Sequence, residues 1–197
     1  MSPRTKQQNE AIRQRSIATI REAALEVFAK YGYHSASITQ IAKEAGVSKG
    51  LLYNYFASKE ELLQSIVQEA MEANEASWLK SLESDLPPFE KLKKATENTI
   101  DLVKSNLHHW RLLTALSFQP DVFKSMEEML TAKRVEYIQK IAELFIQMGI
   151  AEPEKEVFYF GAFLDGIFLH YMNMEEAYPL DDMKNMILER YESYAQK

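Results

Sequence analysis

Apolar positions along this chain recur at three- and four-residue steps almost throughout, which is the period of a helix that hides one face. Ile17, Ile20, Ala24, Val27, Phe28 and Tyr31 make one such stripe, and Gly32 follows as a natural stop. Ser37 and Gln40 then have the spacing of a capping box, in which each side chain covers an orphan amide of the other. That predicts a short helix from Ile38 with Ile41, Ala42 and Ala45 turned inward, broken at Gly46. Ser48 caps a second short helix over residues 49–56, anchored by Leu52 and Phe56. Ser58 and Glu61 repeat the capping-box spacing and open a longer helix containing Leu62, Leu63, Ile66 and Met71, running to about Leu82.

Beyond this point prolines and glycines do the punctuating. Pro87 and Pro88 begin a new helix, since proline is tolerated in a first turn. Pro120 ends the helix that carries Trp110 and Phe118. A further helix is predicted over 121–148, closed by Gly149. Pro153 opens an apolar segment to Met174, and Pro179 separates it from a last helix ending near Ala195. No strand-like alternation and no internal repeat interrupts the pattern. The expected fold is all-α with about nine helices: a small N-terminal domain, 1–57, and a larger helical domain, 58–197.

Composition narrows the classes. The chain has 197 residues and no cysteine, so disulfides, thiolate metal sites and cysteine nucleophiles are excluded. Residues 1–15 lack the apolar core of a secretory signal, and the apolar run Val157–Met172 is shorter than a membrane span needs. A cytoplasmic location is the expectation. The net charge of −6 is unevenly spread. Residues 1–59 hold nine Lys/Arg against four acids, a balance of +5 that leaves −11 for the rest. A basic head on an acidic body directs one face toward phosphate and repels a duplex elsewhere.

The segment Ser37–Glu61 carries the functional signal. Two short helices joined through Ala45-Gly46-Val47-Ser48 match a helix-turn-helix, whose second helix enters the major groove. That helix begins with Lys49 and Gly50, a cation and a residue without a side chain, suited to close approach to phosphate. Tyr53, Asn54 and Tyr55 add hydroxyls and an amide for phosphates or base edges. Ser48 is first of all a cap, with a bond to phosphate as its secondary role.

This stretch closely resembles the signature of the tetracycline-repressor (TetR) family. The matching elements are Ile41-Ala42, Gly46-Val47-Ser48, Leu52-Tyr53-Asn54-Tyr55-Phe56 and Lys59-Glu60-Glu61-Leu62, and with the preceding helix the resemblance covers roughly residues 12–66. It implies that Lys49, Gly50, Tyr53 and Tyr55 touch DNA, that Ser37 and Thr39 meet phosphate, and that Lys59 contacts the DNA backbone. Leu51 departs from the small or polar residue often seen after the Lys-Gly pair. It either meets a thymine methyl or packs.

The resemblance also implies an inducer cavity and a dimer. The cavity candidates are Trp110, Phe118, Phe123, Met126, Met129, Tyr137, Phe160, Phe163, Phe168 and Met172, although ordinary core is the simpler reading of any one of them. Gly161, Ala162, Asp165 and Gly166 put small residues at helical spacing, fitting either a dimer interface or close packing inside one chain. The functional expectation is a homodimeric repressor that binds an inverted-repeat operator on double-stranded DNA and is released by a small apolar or amphipathic effector. A regulator controlled by a protein partner is the alternative. An enzyme finds no support, since no phosphate loop, metalloprotease helix or nucleophile elbow is present. No catalytic residue, cofactor or metal is assigned: His108 and His109 are adjacent and face apart on a helix, His34 is expected to be exposed, and His170 to be core.

Overall fold

The structure, a computed structural model, describes residues 5–194. Among these it contains nine α-helices and no strand: α1 (Lys6–Tyr31), α2 (Ile38–Glu44), α3 (Lys49–Tyr55), α4 (Lys59–Leu82), α5 (Pro88–Ser105), α6 (Leu107–Ser117), α7 (Glu127–Gln147), α8 (Pro153–Met174) and α9 (Leu180–Glu192). None is long and apolar enough to cross a membrane. The chain falls into two compact units. The first runs to Met71 and takes in His108–Ser125; the second holds Glu72–Leu107 and the chain from Met126 onward.

In the first unit α1 begins well before the apolar stripe that predicts it. Thr5 and Gln8 form a complete capping box there, so the polar stretch 6–16 is helical and largely exposed. Ile20, Ala24, Val27 and Phe28 are buried as expected, but Tyr31 is 48 % exposed at the end of the helix. Gly32 closes α1 at φ 80°, a conformation that favours glycine. Ile41, Ala42, Leu52, Phe56, Leu62, Leu63 and Ile66 are buried in the same unit, as are Leu116 and Val122.

Further helix boundaries stand against the sequence reading as follows. Asn106 leaves helical conformation and separates α5 from α6 with no proline or glycine to mark it. Asp121 adopts φ 57°, so the stretch predicted as the start of a helix is a turn followed by a 3-10 segment, Lys124–Met126, and α7 starts only at Glu127. The last helix ends at Glu192; its expected end near Ala195 lies outside the described residues.

The second unit is built on aromatic packing. Phe145 stacks on Tyr191 with centroids 5.3 Å apart, and Phe160 meets both edge-on. Trp78 packs against Phe160 from α4. Such offset and edge-on pairs add to the burial of their area. Tyr191 is fully buried, and its hydroxyl donates to Glu156 at 2.8 Å, beside the Arg190 Nε donor at 3.1 Å. Burial and the neighbouring carboxylate push the Tyr191 phenol well above its ordinary pKa. The buried hydroxyls of Thr96 and Thr99 return to carbonyls one turn back, so neither is left unpaired.

Tyr191→Phe keeps the ring stack and removes only the donor to the carboxylate. It should cost about 1.5 kcal/mol, read as a lower urea midpoint at unchanged denaturant slope.

Candidate nucleic-acid interface

Two helices of seven residues each cannot persist on propensity alone; here both are fixed by caps and by a few buried anchors. Ser37 Oγ accepts from the Gln40 amide at 3.3 Å while Gln40 Oε1 accepts from the Ser37 amide at 2.8 Å, closing the predicted box at the start of α2. Ser48 Oγ accepts from the Leu51 amide at 3.1 Å at the start of α3. Gly46 turns the chain at φ 66°, which lets the Val47 amide donate to the Ala42 carbonyl at 2.9 Å. Ser58 caps α4 through the Glu61 amide, but the Glu61 carboxylate accepts from the Ala57 amide and not from that of Ser58, a variant of the predicted box.

This scaffold leaves a consistent face in solvent. Ser37, Thr39, Ser48, Lys49, Gly50, Tyr53 and Asn54 are exposed, Leu51 and Tyr55 half-buried, and Leu52 and Phe56 buried. Phe56 is the residue that ends α3, one beyond its last helical position. The Lys49 ammonium lies 5.8 Å from the centroid of the Tyr53 ring. A cation and a phenol are thereby grouped at the open end of α3, where unpaired backbone amides also point outward.

Lys59 is differently placed. Its Nζ donates to the carbonyls of Tyr33, His34 and Ala36 at 2.7, 3.1 and 2.9 Å and sits 4.7 Å from the Tyr33 ring centroid. Partial burial lowers its pKa. The same loop is held by Gln119, whose Oε1 accepts from the Tyr33 amide at 2.8 Å and whose Nε2 donates to the Phe28 carbonyl at 3.3 Å. The ring of the exposed His34 meets the Pro120 carbonyl at 3.2 Å. Sequence reasoning missed Tyr33 and Gln119, because a pairing across 86 residues leaves no local spacing to read.

Residues 20–66 match the family profile described as bacterial regulatory proteins, tetR family. Over these residues the chain carries a domain similar to that family's. Its relatives include the fatty acid metabolism regulator protein of Bacillus subtilis, 37 % identical over 92 residues, or 47 % of this chain and 42 % of the relative. The transcriptional activator FasR of Mycolicibacterium smegmatis is 34 % identical over 91 residues, 46 % of this chain and 42 % of that protein. The matches thus span less than half the length of these curated relatives. Beyond the head the likeness is one of fold: the structure of FadR from Bacillus subtilis in complex with stearoyl-CoA aligns with a TM-score of 0.68 at 24 % identity, covering 88 % of this chain and 96 % of that one.

The other expected sites divide as follows. Of the ten cavity candidates, Trp110, Phe118 and Phe123 lie in the first unit and the rest in the second. Phe160 is core, 1 % exposed among three other rings, whereas Phe118 is 75 % exposed at the end of α6. Met129 and Tyr137 are exposed, Met126 and Met172 buried, and Phe163 and Phe168 pack half-buried against the second unit's core. Gly161 and Gly166 have nothing within 4 Å of where a Cβ would stand. Ala162 and Asp165 beside them are exposed. His108 pairs with Glu26 of α1, while His170 is exposed and stacks on Tyr178, a correction to its expected place in the core. Among the described residues no cluster of His, Asp or Glu is arranged to hold a metal.

Gly50 has open space around it. Gly50→Ala should therefore raise the stability of the free protein by about 0.5 kcal/mol through helix propensity, visible as a small increase in Tm.

Proposed function

We propose that this chain is a sequence-specific transcriptional regulator that binds DNA as a homodimer and responds to a long-chain acyl thioester of coenzyme A. The observation that carries the reading is the division of α3: Leu52 is buried while Lys49, Gly50, Tyr53 and Asn54 face solvent. In a helix-turn-helix that exposed end is the part that meets the major groove. Ser37, Thr39, Ser48 and Lys49 then take phosphates, Gly50 lets the helix approach closely, and Tyr53, Asn54 and Tyr55 read bases or sugar–phosphate. Leu51, half-buried, packs with its apolar edge available to a thymine methyl. The head lies within residues 1–57 and the effector and dimer functions within 58–197.

Dimerisation is supported by one face of α8. Phe158, Ala162, Asp165 and Leu169 lie at helical spacing and are exposed, beside two glycines with open space around them. A second copy of α8 and α9 packed there would form a four-helix interface. The ligand class rests on two supports: the fatty-acid regulators among the relatives, and the stearoyl-CoA bound in FadR. Within the second unit Phe163, Phe168 and Met172 are the proposed contacts for an acyl chain. The effector favours a state that does not fit the operator, so the protein represses until it binds, and the extent of release is limited by its differential affinity for the two states.

The test is selection of binding sites from a random duplex library with the purified chain, followed by addition of stearoyl-CoA to the recovered complex. One inverted-repeat sequence, released by stearoyl-CoA and not by free coenzyme A, is the expected result. Recovery of nothing above background would overturn DNA recognition, and a complex indifferent to stearoyl-CoA would overturn the ligand class. On the recovered duplex, Lys49→Ala should lower the slope of log affinity against log salt by about 0.9, the amount set by one phosphate contact.

A further inference from the structure

Lys59 stands where the family resemblance puts a lysine that touches the DNA backbone, yet its ammonium is already fully engaged. An ammonium has three donors and no acceptor. All three point at carbonyls of one short loop, Tyr33, His34 and Ala36, within 3.1 Å, and the Tyr33 ring covers the cation. Reaching a phosphate would break these bonds and leave part-buried carbonyls unpaired, for the return of one solvent-exposed ion pair.

The loop leads directly into α2. Ala36, the last carbonyl held, is followed directly by Ser37, the cap of α2, and then by Thr39. The loop's other side is fixed by Gln119 through the Tyr33 amide and the Phe28 carbonyl. Lys59 and Gln119 therefore grip Tyr33 from its carbonyl and its amide, and the start of α2 has little freedom left.

We propose that Lys59 is a positioning residue: it holds the 33–36 loop so that Ser37 and Thr39 are presented to DNA, and it makes no phosphate contact itself. The proposal rests on the DNA-binding reading above, but separates from it experimentally. The full chain is titrated with the duplex recovered by selection, across a range of salt, as wild type, Lys59→Met, Lys59→Arg and Lys49→Ala. Absence of binding by the wild type is seen before any variant is compared; it removes the DNA reading, and this role with it.

Given binding, Lys59→Met should weaken affinity at every salt concentration by about tenfold while leaving the salt slope unchanged. Lys49→Ala should lose about 0.9 from the slope. Lys59→Arg should fail to restore affinity, because a planar guanidinium serves a phosphate well but cannot converge three donors as an ammonium does. A slope lowered by about 0.9 in Lys59→Met, or full rescue by arginine, would overturn the proposal. Should Lys59→Met not fold, the wild type decides. The Lys59 ε-methylene protons, shifted by the Tyr33 ring in the free protein, should keep their NMR shifts when duplex is added. Movement of those resonances on DNA binding would overturn it equally.

Discussion

Everything at the N-terminal end of this chain depends on making seven-residue helices stand still. Nucleating a helix is costly and two turns return little, so α2 and α3 hold their place through side chains that close their ends and through a few buried contacts. Ser37, Gln40 and Ser48 supply the closures, and Ile41, Ala42, Leu52 and Phe56 the contacts. Because those positions are committed to the scaffold, the remaining ones are left to face outward. Lys49, Gly50, Tyr53 and Asn54 are exposed because their neighbours are not. The face proposed to meet DNA is therefore what the buried contacts leave over, together with the exposed caps Ser37 and Ser48.

That logic explains what could be read from the sequence. Caps and anchors act over three or four residues, so a local spacing reveals them, and the order α2, turn, α3, α4 followed directly from Ser37, Gly46, Ser48 and Ser58. The start of α1 was equally local in kind: Thr5 and Gln8 repeat the same cap, but the polar residues after them bury nothing and gave no stripe to attach it to. The break at Asn106 and the left-handed turn at Asp121 carry no proline or glycine, and a helical period runs across both. Gln119 was beyond reach for another reason, since its partners Tyr33 and Phe28 are set by tertiary packing alone.

The second unit shows the converse problem. Aromatic and methionine residues at helical spacing fit a ligand cavity and a core equally well, because both are apolar interiors. Phe160 resolves as core, since Trp78, Phe145 and Tyr191 surround it. Phe118 resolves as surface. What distinguishes the glycines of α8 is likewise invisible in sequence. Gly161 and Gly166 match a close helix contact on spacing, and only the structure shows that nothing lies within 4 Å of where a Cβ would stand.

Charge illustrates why residue counts alone do not describe a DNA-binding face. The head's balance of +5 includes Lys59, whose ammonium is spent on loop carbonyls, and Arg21, which bonds Ser65 and pairs with Glu69 at 3.3 Å. Both are engaged by other groups of the head itself. Lys43 and Lys49, by contrast, are exposed on the two short helices themselves. A cation that builds the head contributes to the long-range field that steers a duplex toward it, but counterions are released only by those that meet phosphate. Every cation of the head thus contributes to attraction, whereas on the proposed reading contact falls to the exposed ones alone, a smaller set than the residue count.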